Sequence, residues 1–471
     1  MSQLKAREQE IWGHPTGLYV LFFVELWERF SYYGMRAILT LFLAAAAVGA
    51  NPGMGWTNSE TLQFYGTYTM LVYVASIPGG ILADKFIGQK KAVMVGGLLL
   101  CLGHLALAFP GMTAFYGGLG LIIAGVGCLK PNISTMVGGL YPKGDERRDK
   151  GFYIFYIGIN MGAFFGALAV GAVAAYYGWH WGFGLAGIGM LIGQIVYMWG
   201  QKYLEGVGEF TGAADSPNLA ATQRPLTKVE KDRMIVLFLS FLLIIVFWGA
   251  FEQAGGLMNL YTEQKTNRML FGFEVPAAWF QSVNAFFIIT LGTAVGAFWY
   301  KWKMKGRESS SLFKMAVGII IMGTGFLFMT AASMQYEAIG ESAMIWLVLA
   351  YLLHTLGELC ASPVALSFIT KLAPVKYASF MMGAYFAATG FGNKLAGLLG
   401  ELSQSAGELE IFTSIAIFCI VFGLIVIAML KPLKRLTHGA EDLQPATDPH
   451  ENKGFELESH TDATVKTEPR R

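Results

Sequence analysis

Charged residues are scarce in this sequence. Asp, Glu, Lys and Arg make up 14% of the 471 residues, whereas soluble globular domains carry about 25%. Hydrophobic residues make up 54%, and the mean hydropathy is +0.49. This balance is typical of a membrane protein and excludes an ordinary soluble one. The formal net charge of +2 does not point to a nucleic-acid partner, and none is expected.

Several motifs that carry chemistry are also missing. The four cysteines follow no metal-ligand or disulfide spacing, so we interpret them as packing residues and expect no metal site. The absence of a G-x-x-x-x-G-K-[ST] loop argues against ATP as an energy source. Without H-E-x-x-H or a convincing Ser, His and Asp set, an intramembrane hydrolase is disfavoured. The chain is therefore expected to be neither an enzyme nor the carrier of a bound cofactor.

Long charge-free runs are what the sequence has instead. Residues 92–129, 151–201, 275–300, 315–336 and 411–430 contain no Asp, Glu, Lys or Arg. About 20 apolar residues cross a bilayer, and a lone apolar segment in lipid must be helical to satisfy its own backbone. We therefore predict an all-α polytopic membrane protein. Its twelve predicted spans are 17–47, 61–83, 91–109, 113–137, 151–176, 179–199, 234–257, 276–300, 313–333, 342–370, 377–402 and 410–430.

The basic residues predict the orientation of these spans. If both termini are cytoplasmic, 28 of the 34 Lys and Arg fall in inward segments, and only Lys265 and Arg268 fall in outward loops. This asymmetry is the one that the positive-inside rule describes. We therefore expect a multi-pass protein of the cell inner (plasma) membrane with both termini cytoplasmic. The long first apolar segment is interpreted as a signal-anchor helix rather than a cleaved signal peptide.

A polar segment divides the spans six and six. Residues 1–200 are predicted to form one six-helix bundle and residues 234–431 a second one, joined by a cytoplasmic linker at 201–233. Residues 432–471 are polar and are predicted to be a cytoplasmic tail without fixed structure. Two related bundles of this kind handle substrate at their interface near the midplane.

Four charged residues interrupt the first span, in the stretch ELWERFSYYGMR at 25–36. At about 100° per residue, they and the two tyrosines share an arc of about 140°. A charge at the bilayer centre costs roughly 2.5 to 3.5 kcal/mol, so this face is expected to border a cavity or a protein interior. An internal structural ion-pair cluster is the alternative interpretation.

Other polar side chains are predicted near mid-depth in both bundles. Spans 4 and 10 would be equivalent helices of the two bundles, and their charges, on Lys130 and Glu358, have opposite signs. In the same way, the charged face of span 1 is set against Glu252 of span 7. Pairs across the two bundles that form and separate would make an electrostatic gate. The mid-depth set is Tyr73, Lys130, Asn160, Glu252, Asn284 and Glu358.

These same residues carry a family resemblance. ELWERFSYYGMR resembles the E-x-x-E-R-F-x-Y-Y-G signature of the proton-dependent oligopeptide transporters, a branch of the major facilitator superfamily. GGILADKFIGQKK, at 79–91, is similar to the superfamily's motif between spans 2 and 3. LKPNIS, GINMGAF, FWGAFEQAG, FQSVN and GELCASPVALS match further family segments in order. The resemblance implies the major facilitator fold.

The resemblance also implies roles for individual positions. Glu25, Glu28 and Arg29 would respond to protons beside Lys130, and Glu252 would pair with Arg36 or take part in proton coupling. Glu358 would bind a peptide's amino terminus, and Asp84 would stabilise a gate. The full substrate-binding set implied in this way is Tyr33, Arg36, Tyr73, Lys130, Asn160, Trp248, Asn284 and Glu358.

The implied function is proton-coupled symport of di- and tripeptides into the cell by alternating access. A transporter of another small substrate such as nitrate, or a peptide receptor that does not transport, remains an alternative. Gly66 stands where animal members have a histidine, so carboxylates would have to carry the proton. Outside the central set, His354 could tune Glu358 or simply pack, and His104 and Lys394 are interpreted as structural.

Overall fold

The computed structural model describes residues 9–142, 145, 147–210, 225–374 and 377–440, and these are almost entirely helical. The elements of the first half are α1 Thr16–Ala44, α2 Asn58–Val74, α3 Ser76–Leu82, a π-helical turn Ala83–Ile87, α4 Gln89–Leu107, α5 Met112–Gly139, α6 Arg147–Tyr177, α7 Trp179–Gly200 and a 3₁₀ turn Gln201–Tyr203.

The second half repeats this arrangement of long helices. Its elements are α8 Lys228–Phe251, a 3₁₀ turn Glu252–Ala254, α9 Leu257–Lys265, a 3₁₀ turn Ala277–Trp279, α10 Phe280–Met304, α11 Ser311–Ile339, α12 Met344–Leu372, α13 Ala378–Ala406, α14 Glu408–Ala428 and α15 Leu430–Leu436. The strands are two residues each and pair as Glu10–Ile11 with His14–Pro15, Thr266–Asn267 with Ser342–Ala343, and Met269–Leu270 with Phe273–Glu274.

Within the described residues, ten helical stretches are long and apolar enough to cross a membrane. They account for ten of the twelve predicted spans. The other two spans correspond to α1 and α13, which have 29 residues each and are also long enough to cross. Both are less apolar because α1 holds the charges of 25–36 and α13 holds Asn393 and Lys394. The all-α polytopic fold class is confirmed.

Two predicted spans are interrupted in the structure. The second predicted span bends at Ala75, between α2 and α3, and ends in the π-helical turn. The seventh stops at Phe251, passes through a 3₁₀ turn that contains Glu252, and resumes as α9 up to Lys265. Both breaks lie beside polar side chains of the central site described below.

The predicted linker contains the first turn of a helix. α8 begins at Lys228 because the Thr227 hydroxyl accepts from the Glu230 backbone N–H while the Glu230 carboxylate accepts from Thr227 N, a capping box. Residues 432–436 of the predicted tail are helical in α15, so the expectation that the tail has no fixed structure is wrong for them. Residues 211–224 of the linker and 441–471 of the predicted tail lie outside the described residues. We call the side with residues 201–210 the linker face and the side with residues 45–57 and 266–276 the hairpin face.

The two halves meet along two seams, α2 against α13 and α6 against α10. Small residues allow the first seam to close. A Cβ on Gly66 would lie 2.7 Å from the Cα of Gly397. The two backbones can therefore be this close only because position 66 is a glycine. A histidine at position 66 would therefore force these helices apart in this conformation.

Candidate functional site

The charged face of α1 forms a cluster inside the first half. Arg29 Nε donates to Glu25 Oε1 at 2.7 Å and lies 3.0 Å from Glu28 Oε2. All three side chains are almost fully buried. The Glu28 contact has the distance of an ion pair but not the angle of a hydrogen bond, and both Glu28 carboxylate oxygens lack hydrogen-bond partners within the described residues. Glu28 is therefore the less constrained carboxylate of the cluster.

Two turns further along α1, Arg36 is paired across the halves. Its Nη1 donates to Glu252 Oε1 at 2.9 Å and to Oε2 at 3.2 Å, and Tyr65 donates its hydroxyl to Glu252 Oε2 at 3.1 Å. The Glu252 side chain is 1% exposed. Of the two predicted roles for Glu252, pairing with Arg36 is the one present in this conformation.

Tyr33 lies between the two arginines. Its ring centroid is 5.9 Å from the Arg29 Cζ and 4.9 Å from the Arg36 Cζ. An aromatic face near two guanidinium groups offsets part of the cost of keeping them in a low-dielectric region. Tyr33 therefore lies between Arg29 of the predicted proton-coupling set and Arg36 of the predicted substrate-binding set.

Lys130 projects from α5 onto an aromatic ring. Its Nζ lies 3.7 Å from the ring centroid of Tyr73, and within the described residues it has no carboxylate within 4 Å. The immediate partner of Lys130 is therefore the ring of Tyr73. In the described part of the chain, it forms no ion pair with the carboxylates of the predicted cluster.

Glu358 occupies the corresponding place in the second half. Its Oε2 accepts from Asn284 Nδ2 at 2.9 Å, and the same Nδ2 lies 3.0 Å from Thr355 Oγ1. No cation lies within 4 Å of Glu358 among the described residues, so the predicted pair with Lys130 is not formed here. His354 packs on Phe326 with ring centroids 4.5 Å apart, and neither of its ring nitrogens has a hydrogen-bond partner in the described part of the chain, which fits the packing interpretation.

Three further predicted residues occupy different surroundings. Asn160 is buried and donates Nδ2 to the backbone O of Tyr156 at 2.9 Å. Trp248 packs edge-on against Phe247 and Phe251 and borders a small cavity in the second half. Asp84 is exposed in the π-helical turn, and no partner for its carboxylate is found within the described residues. Among the described residues, the predicted gating contact of Asp84 is therefore not formed.

The halves are joined on the hairpin-face side of the Arg36 pair. Asn259 donates Nδ2 to the backbone O of Ala37 and to Thr40 Oγ1, both at 2.9 Å, and Thr40 donates to the backbone O of Gly255 at 3.1 Å. Trp279 donates its indole N–H to the backbone O of Leu168 at 2.9 Å along the other seam. These hydrogen bonds close the site toward the hairpin face.

The side chains of the site differ in exposure. Tyr156, one turn before Asn160 on α6, is 38% exposed. Glu358 is half-buried, whereas Glu252 is fully enclosed. The halves are also joined on the linker-face side of Tyr156, where the Tyr153 hydroxyl lies 3.1 Å from Thr293 Oγ1.

The sequence reasoning missed Tyr65, Thr40 and Asn259. Tyr65 completes the environment of Glu252, and Asn259 links the halves. Asn259 could have been identified, because an amide inside a membrane-spanning segment is uncommon unless it has a partner there. Tyr65 could not, since α2 holds three tyrosines and only the contact with Glu252 in the 3₁₀ turn distinguishes it from the others.

Comparison with known proteins places this arrangement among transporters. The model of the POT family matches residues 90–212 and 217–415. The chain is 35% identical to a peptide transporter of Yersinia enterocolitica and 34% identical to a di-/tripeptide transporter of Lactococcus lactis subsp. cremoris. These matches cover 92% and 93% of this chain and 97% and 99% of the relatives. A crystal structure of a POT peptide transporter in complex with sulfate superposes with a TM-score of 0.85 at 33% identity, covering 93% of this chain and 99% of that one.

Proposed function

The chain belongs to the POT family, and we propose on this basis that it carries di- and tripeptides across a membrane together with protons, by alternating access. Its relatives named as peptide and di-/tripeptide transporters match over nearly their whole length. The chain is a multi-pass membrane protein.

One observation supports the substrate class above the others: each half presents a half-buried charge that has no ion-pair partner within the described residues. Lys130 in the first half is cationic and Glu358 in the second half is anionic. Unpaired charges inside a membrane protein are costly, so a ligand that supplies both counter-ions is favoured. A free peptide does so, with a carboxylate at one end and an ammonium group at the other, whatever its side chains.

The roles of the other residues follow from their positions. Tyr33, Arg36, Tyr73 and Asn160 would hold the carboxylate end and backbone, with Asn284 orienting Glu358. Trp248 would contact the peptide's side chains. Glu28 would take up the proton, since its oxygens lack hydrogen-bond partners among the described residues, and protonation would release Arg29. The Arg36 pair with Glu252 would break when the hairpin face opens.

The proposed setting is the inner membrane with both termini cytoplasmic, so that the linker face is cytoplasmic and the hairpin face is outside. The distribution of Lys and Arg supports this orientation. One proton moving inward through about 100 mV releases roughly 2.3 kcal/mol. At about 1.4 kcal/mol per tenfold, one proton per peptide sustains a gradient of nearly fiftyfold.

Uptake into proteoliposomes tests this proposal. Labelled dipeptide should accumulate when the exterior is acidic and the interior negative, and should only equilibrate without the gradient, with protein-free liposomes as the control. Equal uptake in both conditions would exclude proton coupling. Uptake of nitrate without uptake of peptide, or saturable peptide binding without uptake, would establish the other-substrate or receptor alternative instead.

A further inference from the structure

A polar cavity lies away from the central site, on the hairpin-face half of the seam between α2 and α13. Its volume is about 330 Å³, which is enough for several waters or a polar group. Its lining residues are Trp56, Glu60, Gln63, Phe64, Thr67 and Lys394. We call it the seam groove.

The seam groove faces outward from the molecule. On α2, Tyr65 points to Glu252 in the interior. At about 100° per residue, Glu60, Gln63 and Thr67 lie roughly 140° to 160° away from Tyr65 around the helix axis. Gln63 and Glu60 are exposed, although α2 is part of a membrane-spanning stretch. A polar row on the outer side of such a helix needs a polar occupant in the bilayer.

The two charges in the groove differ in depth. Lys394 Nζ donates to Thr67 Oγ1 at 2.8 Å, and no carboxylate lies within 4 Å of it in the described part of the chain. Glu60 lies in the first turn of α2, about 10 Å nearer the hairpin face than Thr67 at 1.5 Å per residue. Its carboxylate accepts hydrogen bonds from Thr57 but has no cation beside it in the described structure. The groove therefore offers an anionic site near the hairpin face and a cationic site deeper in the membrane.

The aromatic wall indicates the level of the membrane surface. Trp56 packs edge-on against Phe64, with ring centroids 5.2 Å apart, and against Phe115. Tryptophan is enriched where the hydrocarbon meets the headgroups. The outer end of the groove is thus at headgroup depth. Lys394 is a few residues deeper, and its aliphatic side chain can extend toward the headgroups.

We propose that the seam groove binds the headgroup of an aminophospholipid. The lipid phosphate would contact Lys394 and the Thr67 hydroxyl, and the outermost ammonium group would contact Glu60. This order matches the depth of the two charges, because the phosphate of such a lipid lies deeper than its amine. Since Glu60 and Thr67 belong to the first half and Lys394 to the second, a bound lipid contacts both halves at the seam.

Native mass spectrometry of the full chain, purified in detergent, tests the proposal with phosphatidylethanolamine, phosphatidylcholine and phosphatidylglycerol at equal concentrations. Phosphatidylethanolamine should be retained best, because choline has no N–H to donate and glycerol has no cation. Lys394→Gln should weaken retention of all three lipids by about tenfold, as expected for loss of a charge-assisted hydrogen bond, while Lys394→Arg retains it. Glu60→Gln should reduce the retention of phosphatidylethanolamine to that of phosphatidylglycerol.

Lys301→Gln is the matched control, because Lys301 is an exposed cation in the last turn of α10, at the linker face. Equal lipid retention by Lys394→Gln and Lys301→Gln would overturn the proposal. Displacement of the lipid by a soluble dipeptide would also overturn it, since the groove would then take a free zwitterion. The measurement involves no transport, so its failure is distinguishable from failure of the proposed function.

Discussion

Two arginines on α1, seven residues apart, are neutralised in different ways. Arg29 is held by Glu25 and Glu28 of its own helix. Arg36 is held by Glu252 of the other half of the molecule. The first arrangement moves as one unit with α1, whereas the second must break if the halves separate on the hairpin face. The local cluster can therefore respond to protons in every conformation, while the cross-half pair responds to the conformation itself.

The largest expected effect concerns the local cluster. Glu28→Gln should fix the cluster in a protonated-like state while leaving the proposed peptide-binding residues in place. In proteoliposomes, accumulation driven by an acidic exterior should be lost completely, whereas peptide counterflow, which needs no net proton movement, should persist. Glu337→Gln, which changes an exposed carboxylate of α11, is the control.

Two results would contradict this assignment. A Glu28→Gln protein that accumulates peptide with unchanged dependence on external pH would show that Glu28 is not needed for coupling. Loss of both accumulation and counterflow, in protein that is still folded, would favour the interpretation of the cluster as a structural ion-pair group.

The cross-half pair should dominate stability in this conformation. Arg36→Met leaves Glu252 enclosed without a counter-ion, which should lower the free energy of unfolding by about 3 to 5 kcal/mol. The double variant Arg36→Met with Glu252→Gln should recover most of this loss but not transport. Thermal unfolding in detergent measures both.

Lys265→Met is the matched control for the pair. Lys265 Nζ lies 2.8 Å from Glu408 within the second half, but both side chains are about a fifth exposed, so its removal should cost at most about 1 kcal/mol. Equal losses from Arg36→Met and Lys265→Met would remove the distinction between the two kinds of pair.

A smaller effect separates Lys130 from the other membrane lysine. Lys130→Ala removes the proposed partner of the peptide carboxylate and should lower the initial uptake rate by about tenfold, the value of one charge-assisted hydrogen bond. Lys394→Ala removes a cation from the outer side of the seam and should change the rate less than twofold. Equal loss in both variants, at equal membrane expression, would mean that Lys130 has no special place in the site.

Blocking the substrate's amino group tests the second half. Acetylation should weaken a dipeptide's competition for uptake several-fold, because Glu358 loses its cationic partner. In a Glu358→Gln variant, acetylated and free peptides should compete nearly equally. If they already do so with the wild-type protein, Glu358 does not bind the amino terminus.

The local cluster was predictable from sequence because a helix brings residues three and four apart onto one face. The span pattern and the family resemblance also placed Glu252 opposite Arg36. Spacing could not show that Lys130 contacts the ring of Tyr73, or that Asn284 donates to Glu358, because these contacts join helices far apart in sequence. The bend at Ala75 was missed because the apolar run continues through it. The break after Phe251 was missed because the predicted span was extended across Glu252 and Gln253 to residue 257.

The smallest effect belongs to an exposed ion pair within one half. Glu308, in the turn before α11, accepts from Lys434 Nζ of α15 at 2.9 Å and from Ser310 N at 2.9 Å. Partial burial opposes ionisation, but these hydrogen bonds prevail and lower the pKa of Glu308 to about 2. The folded pKa is thus below the unfolded value of about 4.3, so the pair stabilises the protein above that pH and loses its contribution as the pH falls towards 2.

Both side chains of this pair are more than a third exposed, so solvent screening limits the contribution to less than about 1 kcal/mol. Glu308→Gln should therefore lower the thermal unfolding midpoint slightly at pH 7, equally at pH 6, and progressively less below pH 4.3. Peptide transport should not change, because Glu308 and Lys434 belong to the same half and keep their contact when the halves move. A transport defect in Glu308→Gln would mean that the second half does not move as one unit.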